Sequence, residues 1–124
     1  MTARVRAASG RLAEAAVAER LAALGYQILT RNYRCRRGEI DLIARHGSFI
    51  VFVEVKARRR GIPDSLEAVD ARKRRRMVRA AMEYLAERRL VGAPVRFDVA
   101  AVLLDDLGQP IDVQVVQDAF WAGE

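Results

Sequence analysis

The chain has little of several things, and each shortage removes a class of explanation. It has one cysteine, Cys35, among 124 residues. No intrachain disulfide can form, and a cysteine-based zinc site lacks ligands. There is one histidine, His46, so Ser-His-Asp chemistry has little to work with. Three prolines and one tryptophan exclude a proline-rich linker and leave few stacking surfaces. No apolar run approaches membrane-spanning length. The opening "MTARVRAASGRLAEAAVAERL" lacks the continuous apolar core of a secretory signal. A reducing, cytoplasmic setting is therefore expected.

What is abundant is basic charge on a good apolar background. Hydrophobic residues make up 52% of the chain, enough for a core, and 22 basic against 16 acidic residues give a net charge of +6. The length fits one domain, taken as residues 1–124. The excess suits a polyanionic partner. It is also uneven. From Lys56 to Arg79 there are ten basic and three acidic residues; from Val95 onward there are one and six.

The apolar patterning predicts the order α-β-β-β-α-β-β, an α/β fold with a mixed sheet flanked by helices. Ser9 is read as the cap of a first helix ending near Leu24, with Gly25 as its stop. Ala13, Val17, Leu21 and Leu24 form its apolar stripe. "YQILTRNYRC" reads as a strand. "GEIDLIA" and "SFIVFVEVK" read as a hairpin around "RHGS", apolar on both faces and so covered on both sides. Asp64 and Glu67 are read as capping a helix from about Leu66 to Leu90, stopped near Gly92 and Pro94. "VRFDVAAVLLD" and "IDVQVV" read as strands, and "DAFWAGE" as a closing helical turn. His46 and Ser48 are turn residues, and Cys35 a small strand residue.

The hairpin carries charge where apolar residues are expected. With the turn centred on His46 and Gly47, Ala44 faces Phe49, Asp41 faces Phe52 and Glu39 faces Glu54. Glu39, Asp41, Glu54 and Lys56 then share a face, with Asp41 and Glu54 as diagonal neighbours roughly 7–8 Å apart. Grouped carboxylates call for neutralisation. Mg²⁺, with oxygen ligands from one or two carboxylates plus water and phosphate, supplies it, with Mn²⁺ as a substitute. Ordinary ion pairing on a strand face is the simpler alternative. On a helical wheel Glu14 borders the buried stripe and Glu19 points away. A shared metal site or an arginine salt bridge would each account for Glu14. Asp98 lies on a face with Arg96 and Ala100, and is read as an arginine partner.

Arg72, Arg75, Arg76 and Arg79 fall on one face of the long helix, and Arg58, Arg59 and Arg60 follow the lysine strand. With Lys73 they form an expected set of phosphate contacts. Few aromatics sit among them, which favours backbone contact over base stacking. A solvated helix face is the plainer reading.

Asp41 followed by Glu54-Val55-Lys56 on the next strand matches the PD-(D/E)xK nuclease signature. "AEAAVAERLAALGYQILTRNYR", "GEIDLIA", "FVEVKAR" and "RFDV", in this order and spacing, resemble the YraN family over about Gly10 to Phe120. That family consists of small bacterial proteins predicted to be endonucleases, distantly similar to archaeal Holliday junction resolvases. The resemblance implies a restriction-endonuclease-like fold and a magnesium-dependent site. By position it places the helix acid on Glu14, the strand acids on Asp41 and Glu54, and the lysine on Lys56. The Val55 carbonyl is a further oxygen, and Glu39 a reserve ligand. It implies a DNA substrate, with branched DNA as one candidate, and a homodimer; the basic residues suit RNA as well. Three positions depart from the usual pattern: Ala13 and Arg37 stand where glycine is common, and Arg45-His46 where the turn usually bears aspartate. A non-catalytic nucleic-acid-binding module and a protein-interaction domain are the rival readings.

Overall fold

The computed structural model describes residues 3–59 and 71–120, with side chains from residue 10 onward. The order of elements is α-β-β-β-α-β-β, as the patterning predicts.

Helix α1 spans Ala3–Ala23. Ser9 therefore lies inside the helix, not at its start. The end is as expected. Gly25 takes φ +93°, and the Tyr26 N–H donates to the Leu21 carbonyl at 2.9 Å, closing the helix through a left-handed residue. Ala13, Val17 and Leu21 are fully buried. Leu24 is not; it is 47% exposed, because the helix has ended and the chain leaves the helical track. Ala18 completes the buried stripe instead.

Strands β1 (Gln27–Cys35), β2 (Gly38–His46), β3 (Phe49–Arg59), β4 (Val95–Leu104) and β5 (Pro110–Phe120) form one five-stranded sheet in that order. Only β3 and β4 pair in parallel, and helix α2 (Ala71–Glu87) lies in the connection between them. The central strands are apolar on both faces, as expected for a doubly covered sheet. On one face Leu42, Ala44, Val51, Val53, Ala100 and Val102 meet α1. On the other, Ile43, Ile50, Phe52, Phe97 and Val99 meet Met77, Ala80, Ala81 and Tyr84 of α2.

The predicted start of α2, with Asp64 and Glu67, lies outside the described residues, as does Arg60. Its end differs from expectation. Arg89 takes φ +57°, and the Leu90 N–H donates to the Leu85 carbonyl at 2.8 Å. A non-glycine residue thus stops the helix before Gly92. The closing helical turn is also not observed over residues 118–120, which extend β5. Phe120 pairs with Phe97, and the two rings stack at 4.9 Å, holding the chain extended.

The hairpin is tighter than predicted. His46 pairs with Phe49 across Gly47-Ser48, with Gly47 at φ +61° as the first central residue of a type II′ turn requires. The register therefore shifts by two residues: Ala44 faces Val51, Ile43 faces Phe52 and Leu42 faces Val53. A shift of two preserves which face each side chain takes.

Asp98 pairs with an arginine, as expected. It is fully buried, and Arg96 reaches both its oxygens, Nε to Oδ1 at 2.9 Å and Nη2 to Oδ2 at 3.1 Å. The Tyr26 hydroxyl donates to Asp98 Oδ2 at 2.9 Å and the Asp118 N–H to Oδ1 at 3.0 Å. His46 is more than a turn residue. Its ring stacks on Tyr26 at 4.0 Å, and Arg96 Nη2 lies 3.0 Å from its Nδ1. This satisfied polar cluster joins α1's exit to β2, β4 and β5.

Candidate functional site

The site begins where β2 and β3 separate. Their pairing runs from His46–Phe49 to Leu42–Val53, and the next residue of β2 is Asp41. Asp41 turns its side chain into the gap and accepts the Val55 N–H on Oδ2 at 2.8 Å. A carboxylate thus takes a backbone donor that the neighbouring strand has left. The Val55 carbonyl leaves the strand on the same edge as its N–H.

Asp41 also stands between two other acids. Its carboxyl comes within hydrogen-bonding reach of Glu14 from α1 and of Glu54 from β3. The predicted diagonal relation of Asp41 to Glu54 becomes a side-chain interaction across the strand gap. Burial, then the charge of Asp41, holds Glu14 above the ordinary carboxylate range. The same two causes, in the same order, push Glu54 up to about 7. Glu54 is only 3% exposed.

Two side chains that sequence reasoning did not place here counter the acids. Lys73 Nζ of α2 lies 2.8 Å from Glu54 Oε1. Lys73 was expected among the phosphate contacts; it instead belongs to the acid site. The bridge opposes the upward shift of Glu54 and is outweighed by burial and Asp41. The signal was present: Lys73 is four residues before Met77, at the head of the buried stripe Met77, Ala81 and Tyr84, unlike the exposed Arg72, Arg75, Arg76 and Arg79. On β1, Asn32 takes φ +54° and lies across from Asp41, between the pairs Arg31–Leu42 and Tyr33–Ile40. With its amide oriented to donate, its nitrogen is 3.1 Å from each oxygen of Glu14. Asparagine tolerates that backbone conformation better than most residues.

Lys56 shares the Glu54 face of β3, two residues along and half-buried. Glu39 does not face Glu54. The β2–β3 pairing ends before it, and on the other edge of β2 it pairs with Arg34 of β1, whose Nε is 3.5 Å from Glu39 Oε2 in an exposed contact. It lines a small niche of about 90 Å³ with Lys73, Arg76 and Met77.

The donor set has a definite limit. Among the described residues no three carboxylate, histidine or cysteine side chains converge on one metal position. The acids form a chain centred on Asp41, not a ring. Asp41 and Glu54 together fit Mg²⁺, which takes one or two carboxylates and fills its shell with water.

Basic residues gather beside this chain. Arg72, Arg75, Arg76 and Arg79 line one groove, as their helical spacing predicts, joined by Arg36 and Arg37 from the β1–β2 turn. Arg58 and Arg59 continue β3 past Lys56, and the groove's lining does not include them.

The model of the uncharacterised protein family UPF0102 matches residues 13–102. The chain belongs to that family. A UPF0102 protein of Moorella thermoacetica is 49% identical over 114 residues, covering 90% of this chain and 93% of its own length. One from Symbiobacterium thermophilum is 47% identical over 116 residues, covering 91% and 96%. One from Frankia casuarinae is 43% identical over 120 residues, covering 94% and 99%. The UPF0102 match includes Glu14, Asp41, Glu54, Lys56 and Lys73. Among the described residues no helix is long and apolar enough to cross a membrane.

Proposed function

We propose that this UPF0102 protein is a metal-dependent endonuclease that hydrolyses DNA phosphodiester bonds, with branched DNA among its substrates. The observation that carries the reading is the position of Asp41. It sits in a strand gap within hydrogen-bonding reach of Glu14 and Glu54, with Lys56 two residues beyond Glu54. Carboxylates so placed repel one another unless a proton or a cation joins them. The resemblance to the YraN family and the PD-(D/E)xK pattern supports the same assignment.

Asp41 and Glu54 would hold Mg²⁺ or Mn²⁺, with the Val55 carbonyl on the adjoining edge and Glu14 behind Asp41. A bound ion polarises the phosphodiester and acidifies a water. Lys56 orients that water and offsets charge developing on the phosphate. The arginines bind flanking phosphates. Paired cuts in a branched substrate would require a homodimer.

A second reading has its own support. Lys73 already neutralises Glu54 without a metal, as a non-catalytic nucleic-acid-binding module would need. Cleavage of supercoiled, linear and four-way-junction DNA separates the two. With Mg²⁺ or Mn²⁺ the wild type cuts, and with chelator it does not. Asp41→Asn and Lys56→Ala lose cleavage by at least a hundredfold. Cleavage surviving both substitutions sinks this site, and binding without cleavage under either metal selects the module.

A further inference from the structure

We infer that the arginine groove is a metal-independent clamp for the backbone of duplex nucleic acid, separate from the acid chain and built from two walls. The inference rests on the nucleic-acid reading above and adds the ligand, the second wall and the independence from metal.

The groove has a volume of about 780 Å³, and Arg36, Arg37, Arg72, Arg75, Arg76 and Arg79 line it. All six are exposed. Among the described residues none of the six is held by a carboxylate. Like charges gathered this closely oppose folding, and an anion bound among them offsets the repulsion. Arginine presents a planar fork that suits phosphate oxygens. Among the described residues no aromatic side chain lines the groove, which favours backbone contact over base stacking.

The two walls are brought together by one glycine. A Cβ on Gly38 would lie 2.7 Å from the backbone oxygen of Arg76. Only glycine lets the start of β2 approach α2 this closely, and that approach sets Arg36 and Arg37 opposite the helix. The dimensions suit a duplex. Arg72 to Arg79 spans about 10 Å of helix axis. That length of duplex carries about six phosphate charges on its two strands. Arg76 also lines the niche that holds Lys73 and Glu39, so the groove adjoins the acid chain.

The test is fluorescence anisotropy with a labelled 20-base-pair DNA duplex and the matching single strand. It is run in chelator, on the full chain carrying Asp41→Asn, so that neither metal nor cleavage contributes. Each wall is tested alone, with Arg36→Gln/Arg37→Gln and with Arg75→Gln/Arg79→Gln. The charge-matched control on α1 is Arg11→Gln/Arg20→Gln. Each wall pair is expected to weaken duplex binding at least tenfold and to reduce the salt slope by about two. The control should change affinity less than threefold. Equal losses in control and groove variants would reduce the effect to net charge and overturn the inference. So would tighter binding of the single strand, or binding that appears only with a divalent ion. A protein that binds as expected yet never cuts defeats the nuclease reading and leaves the clamp intact.

Discussion

Lys73 Nζ of α2 rests 2.8 Å from Glu54 Oε1 of β3, so a helix of the arginine groove also neutralises a buried carboxylate of the acid chain. Glu54's side chain is 4% exposed and that of Lys73 42% exposed. The lysine therefore retains access to solvent while the acid does not. An ammonium in this position competes with any cation that Glu54 would hold.

Replacing Lys73 should thus have two opposite effects. Lys73→Met leaves Glu54 buried without its counter-charge, costing about 1–3 kcal/mol after allowance for the exposure of the lysine. It should also tighten Mg²⁺ or Mn²⁺ binding several-fold by removing the competitor. Urea denaturation in chelator reads the first effect and calorimetric titration the second. Weaker metal binding in Lys73→Met would contradict the competition.

Glu54 predicts a pH dependence. Its folded-state pKa, about 7, lies above the ordinary 4.5. The folded state then binds the extra proton between these values. The associated stability is fully present below about pH 4.5 and is lost as pH rises through 7. In chelator, wild-type unfolding free energy should fall by about 1–3 kcal/mol more than that of Glu54→Gln between pH 5 and pH 8. Parallel curves for the two proteins would refute the shift.

Gly38→Ala should cost about 1–3 kcal/mol, because its Cβ would meet backbone and not a yielding side chain. Thermal denaturation checks this. Ser48→Ala, in the hairpin turn, is the control expected to change little.

Asp98 separates stability from function. Asp98→Ala strips the buried partner of Arg96 and should destabilise the fold by about 3–5 kcal/mol. Metal affinity, measured where the variant is still folded, should stay within twofold of wild type. A larger loss of metal affinity would tie this cluster to the acid chain.

Much of the architecture was legible because the strands are long and their apolar periodicity unambiguous. The two-residue register error left Ala44 and Val51 on the α1 face because it was an even number, but alternation breaks at Asp41, where Ile40 packs with α2 and Leu42 with α1. The fine geometry was not legible. Whether Ala44 faces Phe49 or Val51 depends on one turn, and Gly47-Ser48 closes it two residues tighter than a turn centred on His46. Glu39 lost its place opposite Glu54 for that reason. Lys73 was read with its arginine neighbours because charge runs look uniform in sequence; its alignment with Met77 set it apart. Arg36 and Arg37 joined the groove only through the close approach at Gly38. The left-handed Asn32 and Arg89 had no strong local signal, since residues other than glycine adopt that conformation through tertiary context.

The central claim is that Asp41 joins Glu54, with Glu14 behind, into a divalent-cation site. Calorimetric titration of Mn²⁺ into the wild type, Asp41→Asn, Glu54→Gln and Glu19→Gln tests it most directly. One binding event is expected in the wild type, unchanged in Glu19→Gln and at least tenfold weaker in the other two. Equal binding by wild type, Asp41→Asn and Glu54→Gln would contradict it.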